Sequence, residues 1–310
     1  MKNRDKIFIV LKFVVTIGSL SWILRSIDVT SVLQIIQDSD FKYLLFALIP
    51  MLFQVIIAAI RWKKVLKNLS HSHSFARVLY CLWIGLFFSQ TLPSSIGGDV
   101  VRGYYICKEG CSLKSSTLSV LLDRIFGMTG LLVLVVITTP LFFNRINDET
   151  AKLGLIIISI ISVGSILSIF VFNFPKKISH WKVVRMLFVL MQEAKKIMFS
   201  SLSGAKLIVL SVVVHTISII SVVILSLGAG LNISWIDIML IVPLATLFMT
   251  IPISIAGWGV REGVMVLGLG YLGVSSESAL TLAILFGLLQ LIISLPGIVF
   301  WIFNRFRHVS

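Results

Sequence analysis

Residues 207–227 run for twenty-one positions without a carboxylate, lysine or arginine, and His215 is the single ionisable side chain among them. A run of that length and composition belongs in hydrocarbon, where the backbone has to satisfy its own hydrogen bonds, here as a helix. Comparable runs fill 7–27, 41–60, 117–143, 153–174 and 279–304. A hydrophobic fraction of 57% with 13% charged residues excludes an ordinary soluble domain. The reading is an all-α polytopic membrane protein, one transmembrane domain over 1–310. The chain carries no room for a sizeable soluble catalytic domain. Basic residues precede the 7–27 run and no small-residue cleavage site follows it, so it reads as the first span rather than a removed signal peptide.

Two apolar segments break this pattern. Residues 78–92 and 236–251 are 15 and 16 residues long, too short at ~1.5 Å per residue for a ~30 Å core. Each runs into a Pro- and Gly-containing break and then a second short helical segment. The breaks are related. Aligned without a gap, Pro93–Arg102 and Pro252–Arg261 match at six of ten positions, with an arginine nine residues after each proline. An arginine in such surroundings is costly and is by default a functional hypothesis. Paired broken elements in the two halves of a chain point to a transporter-like repeat with its binding site between them. The repeats are assigned to 78–110 and 236–272.

Charge placement tests whether these segments cross the membrane. The chain holds 27 Lys and Arg against 13 Asp and Glu, a net +14, clustered in short loops where they set orientation and attract anionic headgroups rather than nucleic acid. With eight full crossings, the basic 175–206 stretch would lie outside with Asp28, Asp38 and Asp40. With both broken segments re-entrant there are six spans, and both termini lie inside. The cytoplasmic face then collects Lys2, Arg4, Lys6, the basic group from Arg61 to Arg77, the 175–206 group, Arg305 and Arg307. That arrangement obeys the positive-inside rule and makes the two hairpins inverted copies. On this reading Arg61 and Trp62 are an interfacial anchor, 28–42 is a linker, and 175–206 is a basic amphipathic helix lying on an anionic leaflet.

The chemistry sits at the breaks. A Gly-rich break leading into a helix presents backbone N–H groups and a dipole that suit an anion. Gly97 and Gly98, and Gly257 and Gly259, let the backbone turn or approach a ligand. Arg102 lies one helical turn from Asp99, and Arg261 is next to Glu262. Arginine grips phosphate bidentately, so a phospholipid or polyprenyl-phosphate headgroup is the natural guest. The competing reading has Arg102 paired with Asp99 or Asp123 as a structural staple. Asp123 and Arg124, at the start of their span, either close one side of the polar centre or form an interfacial ion pair. His215 is either a proton relay or a neutral histidine bonded to a neighbouring helix. His71 and His73 have no third ligand in view, and Cys107 and Cys111, four apart, read as packing residues on one helical face, so no metal is expected. With Cys81 they make an odd count without a CxxC, which favours reduced thiols. No nucleophile–base pair or nucleotide loop is present, and no cofactor is expected.

The stretch from Leu92 to Tyr105, the Asp123–Arg124 pair and the stretch from Pro252 to Gly263 resemble the flippase-like family of integral membrane proteins, which includes the membrane domain of bacterial lysyl-phosphatidylglycerol synthases. The resemblance implies that family's lipid-translocase fold in a bacterial inner membrane. It implies that Arg102, Asp123, Arg124, Arg261 and Glu262 occupy the family's motif positions. The chain ends at Ser310 without the synthases' soluble aminoacyl-transferase domain, so lysyl transfer is not expected of it. The expected function is a flippase for a phosphate-bearing lipid, with Arg102 and Arg261 binding phosphate alternately. Two alternatives stand beside it: an intramembrane transferase using Asp99, Asp123 or His215 as base, and a non-transporting lipid-binding accessory of envelope synthesis.

Overall fold

A computed structural model describes residues 3–25, 27–92, 96–143, 145–171 and 182–307. The expectations attached to Lys2, Pro93, Ser95 and the 172–181 stretch fall outside that set. The described residues are helical, without a strand. The first half comprises α1 (Asn3–Arg25), α2 (Val29–Asp38), α3 (Phe41–Asn68), α4 (Phe75–Thr91), α5 (Gly97–Lys108) and α6 (Leu113–Thr138). The second comprises α7 (Glu149–Val171), α8 (Lys182–Phe199), α9 (Ser201–Gly228), α10 (Trp235–Met249), α11 (Val260–Gly270), α12 (Ser276–Ser294) and α13 (Pro296–Arg307).

Five helical stretches are long and apolar enough to cross a membrane: Phe41–Asn68, Leu113–Leu141, Glu149–Ser168, Ser203–Gly228 and Ser276–Phe303. A sixth arises if Lys12–Arg25 and Val29–Asp38, bent by 90°, form one broken span. The 28–42 stretch is therefore not a simple linker. Its apolar residues recur at helical spacing, and Val32 packs with Ile23, Ile27 and Leu280. Asp28 caps α2 by accepting from Thr30 N–H at 2.9 Å, and Asp40 caps α3 by accepting from Lys42 N–H at 2.9 Å. Two linker acids thus satisfy orphan helix donors.

The two short apolar helices are α4 and α10, of 17 and 15 residues, or ~26 and ~22 Å. Each folds back onto its partner, α4 on α5 and α10 on α11. The first pair closes through backbone. A Cβ placed on Gly98 would lie 2.1 Å from the Gly85 carbonyl oxygen and 1.9 Å from Ser89 Oγ, so glycine at this crossing is a steric requirement. In the second pair Gly257 and Gly259 hold φ of +82° and +83°, the left-handed region glycine enters without penalty. Around the hairpins, α3 packs along α9, α6 along α9, α13 along α4 and α12 along α11. Trp83 Nε1 on α4 donates to the Ile293 carbonyl at 2.8 Å, beside the point where Pro296 divides the last span into α12 and α13.

The amphipathic helix α8 packs one side of itself into the bundle. Its Leu190, Ala194 and Ile197 are buried against Val65, Leu122, Phe126 and Leu207. Part of the apolar face is covered by α6 and α9, while Met186 and Leu187 stay exposed along with Arg185 and Lys196.

Candidate functional site

Burying arginine requires a carboxylate within reach, because an uncompensated charge in a medium of low polarity costs several kcal/mol. Asp123 is 2% exposed and sits ten residues into α6. Its Oδ1 accepts from Arg61 Nε at 2.8 Å and its Oδ2 from Arg102 Nη1 at 2.9 Å. Arg102 Nε in turn donates to Asp99 Oδ1 at 2.8 Å, and the other oxygen of Asp99 accepts from Arg124 Nε. The five side chains form one alternating series, Arg61–Asp123–Arg102–Asp99–Arg124, with an arginine at each end. Three guanidiniums face two carboxylates, an excess of one positive charge.

Arg61 belongs to this centre and not to an interfacial anchor. It is 8% exposed, and its Nη1 also donates to Ser211 Oγ on α9 at 3.1 Å. Trp62 is fully buried, donates to Ser119 Oγ at 3.2 Å and carries the Arg102 guanidinium 4.8 Å from its ring centroid. A sequence signal for this existed: α3 continues past the charged residues, with Val65 and Leu66 buried on the same side as Arg61 and Trp62. The apolar period runs straight through the apparent anchor.

Arg61, Asp99, Arg102, Asp123 and Arg124 line a cavity of ≈410 Å³, together with Gln54, Gln90, Gln290 and Thr250. Met51, Val55, Leu86, Leu131 and Val214 supply an apolar wall. Both hairpins reach it, the first through Gln90 and Arg102, the second through Met249 and Thr250. His215 lies on the wall with Nε2 3.1 Å from the Gly127 carbonyl. A carbonyl only accepts, so Nε2 carries the proton there.

The second motif builds a smaller version next to the cavity. Arg261, 1% exposed, donates through Nε to Glu262 Oε1 at 3.0 Å and through Nη2 to the same oxygen. Its guanidinium lies 4.4 Å from the Trp258 ring centroid, and Nη1 reaches Gln290 Oε1 at 3.4 Å. Glu262 Oε2 accepts from Gly259 N–H at 2.6 Å, so the N-terminus of α11 already holds an anionic group of its own chain. Arg261 therefore meets the cavity only through Gln290, while Arg102 lines it directly. Gly97, Gly98, Gly257 and Gly259 shape backbone and are not on the cavity wall, and Pro252 is exposed in the turn after α10. Glu109 is ion-paired with Arg77 at 2.6 Å.

The comparisons agree with this architecture. Residues 9–297 match the family profile described as lysylphosphatidylglycerol synthase TM region. A UPF0104 membrane protein from Pyrococcus horikoshii is 26% identical over 148 residues, 47% of this chain and 44% of that protein. One from Methanocaldococcus jannaschii is 23% identical over 107 residues, 34% of this chain and 31% of that protein. The matched stretches thus cover less than half the length of either relative. The family match takes in both broken hairpins and every member of the ion-pair series, and the chain belongs to the lysylphosphatidylglycerol synthase TM region family.

Proposed function

We propose that this protein is a lipid translocase that moves a phosphate-bearing lipid, a phospholipid or a polyprenyl phosphate, across its membrane. The observation that carries the reading is the alternating series ending in arginine at both sides, placed on the wall of a cavity that both helical breaks reach. A phosphodiester brings one negative charge, which matches the excess of one positive charge among the five side chains. Arginine offers it paired donors in fixed geometry. Arg124, whose side chain is 32% exposed, is the first guanidinium a headgroup meets, and Arg102 the second. Arg261 then acts from behind Gln290 rather than as an equal and alternate partner.

A lipid also needs a place for its chains. An apolar groove of ≈290 Å³ runs between α6, α7 and α8, lined by Ile125, Leu132, Ile166, Leu187 and Leu190, and Met128 lines both this groove and the polar cavity. Headgroup and acyl space therefore adjoin, which favours a lipid over free phosphate. The transferase alternative is weaker. It needs a base, and the two carboxylates that could serve, Asp99 and Asp123, each carry two arginine partners. With no nucleotide-binding loop in the sequence, movement is downhill or coupled to an ion gradient.

The test is headgroup translocation in proteoliposomes with labelled anionic, zwitterionic and polyprenyl-phosphate lipids, comparing wild type with Arg102→Lys, Arg102→Ala and Arg124→Ala. Movement of one phosphate-bearing class, lost in Arg102→Ala and reduced in Arg124→Ala at unchanged thermal stability, is the expected result. Wild-type rates in both alanine variants would overturn the reading. Product formation from a lipid-linked donor would favour the transferase.

A further inference from the structure

The six-residue connection between α3 and α4 and the loop between α5 and α6 meet at the open end of the first hairpin. His71, His73 and Cys111 come together there, their ligand atoms all within 4.8 Å of one another. His73 Nε2 lies 3.1 Å from Cys111 Sγ. Among the described residues this is the one group of His, Cys or acidic side chains close enough to hold a metal ion. Cys111 does not share a helical face with Cys107, because α5 ends at Lys108 and Gly110, at φ +102°, turns the chain away.

Both loops are pinned on either side of the ligands. Ser70 adopts φ +66°, and His71 N–H donates back to the Leu66 carbonyl at 3.0 Å, closing the end of α3. Ser74, directly after His73, accepts from Arg77 N–H and caps α4. On the other loop, Ser112, directly after Cys111, caps α6 by accepting from Ser115 N–H at 3.1 Å. The three side chains thus project from backbone held by its neighbours, with Cys111 buried and the two imidazoles half-buried. The Arg77–Glu109 ion pair ties the same two hairpin ends together alongside them.

We propose that His71, His73 and Cys111 form a transition-metal site of the zinc class that clamps the start of α4 to the end of α5. Two imidazoles and one thiolate select zinc-like ions over magnesium or calcium, which take oxygen ligands. Zinc–ligand distances of about 2.0–2.3 Å in a tetrahedron place donor atoms roughly 3.3–3.8 Å apart. The observed cluster, with His73 Nε2 3.1 Å from Cys111 Sγ and all ligand atoms within 4.8 Å, lies close to that spacing. Three protein ligands leave the fourth position to water. Binding displaces the Cys111 thiol proton to solvent. The clamp stands apart from the cavity and does not depend on the transport reading.

The experiment uses the full-length protein in detergent, stripped with chelator and titrated with Co²⁺. The expected result is one Co²⁺ per chain with a thiolate-to-cobalt charge-transfer band, displaced by Zn²⁺, and a melting transition raised by Zn²⁺. The band disappears in Cys111→Ser and is unchanged in Cys107→Ser. His71→Ala and His73→Ala, on half-exposed loop positions, weaken binding by at least the ~10–100-fold that outer-shell changes alone cost. If Cys111→Ser fails to fold, the two histidine variants decide the matter. No charge-transfer band in wild type, or wild-type affinity in both histidine variants, overturns the site.

Discussion

Asp123 holds two buried arginines from two other helices, Arg61 on α3 and Arg102 on α5. Removing it leaves both guanidiniums, 8% and 5% exposed, without their shared counter-charge. Asp123→Ala is expected to cost about 3–5 kcal/mol, the range for breaking a buried pair from one side. Asp99→Ala should cost less, because its partner Arg124 is already a third exposed and can turn outward. Thermal unfolding of the two variants in the same detergent checks the order; equal or reversed losses would mean that burial does not govern the series. The same comparison separates staple from binder for Arg102. A purely structural arginine is lost together with stability, whereas Arg102→Lys keeps the charge at Asp123, gives up the bidentate fork, and is expected to lose transport while melting within a few degrees of wild type.

At the scale of the element, the first hairpin depends on how closely α4 and α5 cross. An alanine at Gly98 would drive its methyl into the Gly85 carbonyl and the Ser89 backbone nitrogen, atoms that cannot step aside without moving a helix. At Gly97 the nearest obstacle is the end of the Leu92 side chain, 2.7 Å away, which can rotate. Gly98→Ala is expected to destabilise by about 1–3 kcal/mol, as overpacking does, and Gly97→Ala by clearly less. Melting temperatures of the pair measure this directly. Since Arg102 lies one turn beyond Gly98, the splayed hairpin should also lose translocation.

At the scale of the whole molecule, the polar cavity and the apolar groove meet at one side chain, Met128. Met128→Trp fills that junction without touching an ion pair. Translocation is expected to fall toward the protein-free rate, while headgroup binding, read by tryptophan-independent calorimetry with short-chain lipid, stays near wild type. Loss of binding together with transport would place the lipid path elsewhere. The molecule also has a built-in asymmetry. Arg102 faces the cavity, whereas Arg261 is saturated by Glu262, Trp258 and Gln290. Arg261→Ala should therefore reduce transport less than Arg102→Ala and stability more than Arg124→Ala.

Membrane character, the long helices, the two short broken ones and the arginines at their breaks were legible in the sequence because each follows from local facts. Run length against hydrocarbon thickness, and proline and glycine chemistry, do not depend on what lies across the fold. Asp28 and Asp40 read as loop charges until α2 and α3 supplied the donors they cap. Only the tertiary structure decided who pairs with whom. Arg61 reaches Asp123 across 62 positions and Ser211 across 150, and His73 meets Cys111 across 38. A charge beside an apolar run looks the same in sequence whether it snorkels to water or turns inward. The partner that makes burial tolerable comes from another helix, and the packing of α3, α6 and α9 sets that choice.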